Sequence, residues 1–236
     1  MKYLHSFFPF VFCVTLFLIS GCTSSEIGES KDVSQETIYQ QYNISYNEGD
    51  ENATVYSQFR FAGDDGTTLV LTKPAGLQFD GVSLLVDSSE YEGAFYKKSI
   101  PANAFYGDHV FTYTDINKKK FENSFSIASF KLGNIPEVSS RTNSLQIPFE
   151  SSPLGPDDFI EISAVDTDSS FSINYTPKEN KSFILIPVEE MQRQKGSQLK
   201  LSATLHGKIA LQQNTTEGGK LEVEQSLKPV SIKLEQ

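Results

Sequence analysis

From Tyr42 to Leu234, apolar side chains return at every second position and only briefly with the spacing of a helix. A strand sends successive side chains to opposite faces, so an alternating run buries one face and wets the other. Tyr42, Ile44 and Tyr46 alternate with polar residues, as do Leu145, Ile147 and Phe149, then Ile160, Ile162 and Ala164, then Phe171, Ile173 and Tyr175. Val55, Phe59 and Phe61 fall on one strand face, and Leu199, Leu201, Ala203 and Leu205 alternate most strictly. Turn signals separate these runs roughly every 8–12 residues, the interval a sandwich of short strands requires. Examples are Asn47-Glu48-Gly49-Asp50, Gly63-Asp64-Asp65-Gly66, Lys73-Pro74-Ala75-Gly76 and the loop Ser151–Asp158, whose two prolines no strand interior tolerates. The exception is Val188–Arg193, which reads as a single helical turn crossing between sheets. The pattern predicts an all-β fold of antiparallel strands.

Length divides that fold. Residues 38–130 and 131–236 are each close to the roughly 100 residues of an immunoglobulin-sized sandwich, with the boundary at Leu132-Gly133-Asn134-Ile135-Pro136. A single β domain of about 200 residues is the alternative. The clearest hairpin pairs Val110–Thr114 with Phe121–Ile127 across a loop that ends in Lys118-Lys119-Lys120, and Phe121, Phe125 and Ile127 share a face. The stretch Gly107-Asp108-His109-Val110-Phe111-Thr112-Tyr113-Thr114-Asp115 resembles the F–G hairpin of bacterial immunoglobulin-like (Ig-like) domains, an aromatic strand ending in an Asp-led turn. The resemblance implies two tandem Ig-like antiparallel β-sandwich domains. The cysteine pair and core Trp of antibody-type domains are missing.

The first residues set an address. Lys2 is followed by the apolar run Phe7–Ile19, 13 residues long, the length of a secretory h-region and short of the roughly 20 needed to span a bilayer. Ile19-Ser20-Gly21-Cys22 comes next and resembles the lipobox of bacterial lipoproteins. That resemblance implies cleavage between Gly21 and Cys22, a diacylglycerol on the Cys22 sulfur, and often a further acyl chain on the new amino group. Two or more acyl chains anchor stably where one binds marginally. Residues 1–21 are then the signal peptide. Residues 22–37 read as a lipidated N-terminus and flexible tether, because Ile27 and Val33 alone do not offset its ordering entropy. Thr23, rather than Asp, follows the lipidated position, which by the same resemblance favours the outer membrane. With Cys13 removed and Cys22 consumed, no cysteine is left for a disulfide, a metal or a nucleophile.

A formal charge of −10, from 30 acidic and 20 basic residues, argues against nucleic acid as a partner and against a polybasic grip on lipid. Chemistry is sparse. His109 and His206 lie in no metal-ligand spacing. His109 beside Asp108 offers half of a triad, but no G-x-S-x-G elbow supplies a nucleophile. Ser197-Gln198-Leu199-Lys200 matches S-x-x-K without its companion motifs. Asp166-Thr167-Asp168 starts like a calcium loop, yet Phe171 and Pro177 occupy the positions that need Gly and Glu. Asp64-Asp65 and Asp157-Asp158 read as turn formers that calcium between loops offers to bridge. Tyr91, Tyr96, Tyr106 and Tyr113 are either half-buried strand residues or rings exposed for stacking on sugars. No catalytic, cofactor-binding or metal site is expected, and the chain is not expected to be an enzyme. The expectation is a lipid-anchored cell-envelope lipoprotein that binds or adheres to an envelope protein or glycan. The rivals are an assembly accessory working by strand addition and, less well supported, a carboxylate-based hydrolase.

Overall fold

The computed structural model describes residues 26–166, 170–176 and 182–235. Gly21 and Cys22 lie outside the described residues, as do Thr167, Asp168 and Pro177 of the calcium-loop comparison.

The first body contains β1 (Ile27–Glu29), β2 (Ile38–Asn47), β3 (Asn52–Phe61), β4 (Thr67–Val70), β5 (Gly76–Phe79), β6 (Val82–Ser83), β7 (Val86–Ser89), β8 (Gly93–Pro101), β9 (Gly107–Thr114) and β10 (Lys120–Ile127). One sheet runs β2-β3-β8-β7, and the facing sheet runs β10-β9-β5-β6. These are the A-B-E-D and G-F-C-C′ orders of an Ig-like sandwich. The Gly107–Asp115 hairpin occupies the F–G place expected of it. Rings close the gap between the sheets: Tyr42 stacks on Phe111 at 4.5 Å and Phe59 meets Tyr113 at 4.6 Å. Each such pair contributes about 0.5–1.5 kcal/mol beyond its buried area.

The second body contains β11 (Lys131–Leu132), β12 (Val138–Ser140), β13 (Leu145–Glu150), β14 (Phe159–Val165), β15 (Ser170–Tyr175), β16 (Phe183–Ile186), α1 (Val188–Arg193), β17 (Gln198–Ile209), β18 (Gly219–Ser226) and β19 (Val230–Glu235). It repeats the plan. β19-β17-β14-β15 faces β11-β13-β16, and β12 runs parallel to β19. Its core is aliphatic: Ile147, Ile160, Ile162, Ile184, Leu199 and Ile232 are essentially sealed from water. The expected helical turn is α1, whose Met191 is fully buried.

Two expectations need correction. The first is the division at residue 130. β17 pairs with β19 over its first third and with β18 from Thr204 onward. The other edge of β18 then pairs in parallel with β2, from Gly219 opposite Gln40 to Ser226 opposite Asn47. Residues 219–226 therefore belong to the first body's sheet, and Leu221 and Val223 belong to its core. Alternation reads the same whichever sheet a strand joins, so nothing local announces this. Gln225 locks the junction. Its Oε1 accepts from the Phe130 N–H at 3.2 Å, and its Nε2 donates to the Phe130 carbonyl at 3.0 Å and the Tyr106 hydroxyl at 2.9 Å. The loop before β18 also covers the open edge of β10. Gln212 and Gln213 accept from the Ser124 and Glu122 N–H groups at 3.0 Å, blunting a strand edge that would otherwise invite pairing.

The second correction is the tether. From Ile27 onward it is fixed rather than flexible: β1 pairs in parallel with β4. The fully buried Ser30 accepts the Thr72 N–H on its Oγ at 2.9 Å, and short 3₁₀ turns follow at Ser30–Asp32 and Gln35–Thr37. Backbone pairing, the Ser30 and Gln35 side chains and the packing of Val33 against the core order this stretch, and pairing with a distant strand leaves no trace in composition.

Candidate functional site

His109 is held at the start of β9, and its acid partner is Asp80 rather than the adjacent Asp108. Asp80 and Gly81 form the two-residue turn between β5 and β6, both with positive φ (49° and 74°), the Asp-Gly arrangement that matches strand twist. The turn aims the Asp80 carboxylate back at β9. One oxygen lies 2.8 Å from His109 Nδ1 and the other accepts the Val110 N–H at 2.9 Å. His109 Nε2 lies 3.1 Å from the Phe105 carbonyl oxygen, and the ring stacks on Phe79 at 5.1 Å. A general base needs that second nitrogen free to face a hydroxyl. Here a main-chain carbonyl occupies it. The pair ties two loops together, beside a shallow depression of about 550 Å³ that Asp108 and Ser124 also line. Twenty-nine residues separate the partners, so sequence proximity nominated the wrong aspartate.

The other candidates also do structural duty. His206 stacks on Phe159 at 4.5 Å, across the strand pair that joins β14 to β17, with Glu161 and Glu224 at 3.6 Å and 3.9 Å. Asp158 accepts the Gly155 N–H at 2.6 Å and the Lys208 N–H at 2.8 Å. Asp166 accepts the Lys195 and Gly196 N–H groups at 2.7 Å and 2.6 Å. Asp64 pairs with Lys220 at 2.9 Å. These carboxylates hold turns and cross-strand contacts. No group of three or more His, Cys, Asp or Glu that could hold a metal occurs among the described residues. Ser197 and Lys200 run into strand β17, where positions three apart face opposite ways, so they do not converge. Lys119 lies 3.3 Å from Glu36 and over the Phe121 ring at 4.7 Å, which fixes one of the three lysines at the hairpin tip.

The aromatic question divides. Tyr96 and Tyr113 are core residues, and burial pushes both hydroxyls up in pKa. Tyr106 is partly exposed, whereas Tyr91 is 93% exposed at the turn between β7 and β8. The most exposed apolar cluster lies elsewhere. Val82 to Val86 reads in sequence as one strand, but it breaks at Leu84-Leu85 into β6, the last strand of one sheet, and β7, the last strand of the other. Leu84 turns inward and donates its N–H to the Leu77 carbonyl at 2.9 Å. Leu85 is left 82% exposed, between Val82 and Val86 at 50% and 44%. A groove of about 680 Å³ runs beside them, lined by Leu71, Pro74, Leu77 and Leu84 among others. Asp87, Glu90 and Glu92 follow at once, without a cation between them. The adjacent leucines, which break the alternation, are the sequence signal for this surface.

No known protein family and no curated protein matches the chain. Among solved structures, it is similar to Dpr11 IG1 bound to DIP-gamma IG+IG2, at 10% identity and a TM-score of 0.22, over 83% of this chain and 96% of that one. It is also similar to murine CEACAM1b, at 10% identity and a TM-score of 0.25, over 84% of this chain and 100% of that one. Superpositions this loose carry no argument about function, and the Ig-like arrangement rests on the strand pairing itself.

Proposed function

We propose that the chain is a lipid-anchored, non-catalytic binding module of a bacterial cell envelope, moored through Cys22 and engaging an envelope protein through the Val82–Val86 edge. One observation carries the binding half of this reading: the apolar residues Val82, Leu85 and Val86 stand exposed where the chain passes from the last strand of one sheet to the last strand of the other. A monomer gains nothing by leaving Leu85 in water, whereas a partner that covers it removes apolar surface and finds the free edge of β7 to pair with. The flanking carboxylates favour a partner segment carrying Lys or Arg. A protein partner fits this edge better than a glycan, since stacking on sugars calls for exposed rings and Tyr91 is the one ring so fully exposed among the described residues. An enzymatic reading lacks support, because both His109 nitrogens are engaged, Asp158 accepts backbone N–H groups and Asp64 pairs with Lys220.

The test is a photoreactive side chain placed at Leu85 in intact cells, with Val165 on the second body, also half exposed, as the control position. The reading expects one defined protein adduct from position 85, abolished by Val82→Asp with Val86→Asp. No adduct, or the same adducts from both positions, overturns it.

A further inference from the structure

We propose that the loop end of the first body, built from Gly63–Gly66, Glu90–Glu92 and Ile116–Lys119, faces the lipid headgroups at close range, with the second body pointing away from the bilayer. The inference rests on the Cys22 anchor and adds the orientation and spacing that the anchor imposes.

Glu26 enters at that loop end: its carbonyl accepts from the Thr68 Oγ1 at 3.2 Å, and Ile27 pairs opposite Thr68, next to the Phe61 end of β3. Only Thr23, Ser24, Ser25 and Glu26 separate Cys22 from Ile27. Fully extended, five residue steps span at most about 18 Å. The headgroup layer itself takes up about 5–8 Å on each side of the hydrocarbon. The loop end is therefore held within about 13 Å of the headgroup surface. Had the tether been free to Thr37, its reach would have left the orientation open.

Strand directions place the second body at the other end. β9 starts at Gly107 opposite Ile127, which leads to Phe130 and the second body, and it ends at Thr114 beside the Lys118–Lys120 tip. Eight strand residues separate the two ends, about 26 Å. Tyr91 sits in the same corner as the entering chain. Gly93 packs against Thr68, whose hydroxyl holds Glu26, and the Glu92 carbonyl accepts from Gln58 Nε2 at 2.7 Å. A ring with a polar tip suits the headgroup zone. Charge does not draw this end down: Asp64, Asp65, Glu90, Glu92 and Glu217 outnumber Lys118, Lys119 and Lys220. The short leash, not attraction to anionic lipid, sets the distance.

The chain contains no Trp, so Tyr91→Trp and Val165→Trp each give a lone emitter, one at the loop end and one at the far end of β14. The full lipidated variants are reconstituted in phosphatidylcholine vesicles containing a dansyl-headgroup lipid, and energy transfer is read from each. The inference expects several-fold stronger transfer from Y91W than from V165W. It also expects transfer from Y91W to fall when a Gly-Ser insertion between Ser25 and Glu26 doubles the leash. Equal transfer from the two sites, or transfer from Y91W that ignores the insertion, overturns the orientation. Intact mass on the same samples separates the two readings. A chain without acyl mass overturns the anchor and the orientation together, whereas an acylated chain with equal transfers overturns the orientation alone.

Discussion

Leu221 belongs by chain order to the second half of the molecule, yet it is 2% exposed in the core of the first body. Leu221→Ala removes a buried side chain from a well-packed site, and a change of this kind costs about 2–5 kcal/mol once the residual cavity is included. In a chain of this size, each kcal/mol lowers Tm by about 2–4 °C, so the expected drop is about 4–20 °C. The first body should report the loss, because it holds the ring ladder of Tyr42, Phe59, Phe111 and Tyr113. The assay is thermal melting of the Cys22→Ser chain, followed by near-ultraviolet circular dichroism for those rings and far-ultraviolet for all strands. Because β18 pairs with β2 on one edge and β17 on the other, both signals should move together in one transition. A near-ultraviolet midpoint that stays in place while a separate transition moves would refute the shared strand. So would a total effect under about 0.5 kcal/mol, the range of an ordinary surface change.

Two further outcomes follow from the first body. Burial raises the tyrosine hydroxyls: Tyr56 goes up to about 12 from 10.0, mainly through desolvation and then through Glu92, while Tyr42 and Tyr96 shift in the same direction through burial. The unfolded chain loses these protons first, so stability present below pH 10 should drain away as pH rises toward 12, in step with tyrosinate absorbance. Flat stability across that window would contradict the buried ring core. Gly93→Ala sets a Cβ 2.2 Å from Thr68 Oγ1 at a φ of +71°, and should cost at least about 1 kcal/mol in chemical denaturation. Gly76→Ala, with open space around it, serves as the comparison, and equal effects would deny the close approach.

Much of the fold is legible in the amino-acid order, for one reason. Strand alternation is a local rule, and Tyr42, Ile44, Val55, Phe59, Ile160, Ile162, Leu199 and Leu201 all obey it and are buried. Phe61 shows its limit, since it continues the Val55–Phe59 face but stands 39% exposed where β3 ends. What stays hidden depends on partners far away in sequence. Leu221 and Val223 alternate correctly, but their choice of sheet is decided by β2, nearly the whole chain away. The order of Ile27–Asp32 comes from backbone pairing with β4 and from the Ser30 hydroxyl, whose partner Thr72 lies 42 positions on. The candidate surface was half legible: Asp80-Gly81 is a turn signal, and Leu84-Leu85 breaks the period. Which leucine turns inward follows from the Leu84–Leu77 bond alone. Asp80 replaced Asp108 as the partner of His109 because a turn aims a carboxylate more effectively than adjacency in sequence does.

The mooring at Cys22 is tested most directly by the intact mass of the processed chain from its native cells. The expected polypeptide begins at Cys22, carries a diacylglyceryl thioether and requires detergent for recovery. A chain that begins elsewhere, or that is recovered from the aqueous fraction with the Cys22 thiol free, would contradict the mooring.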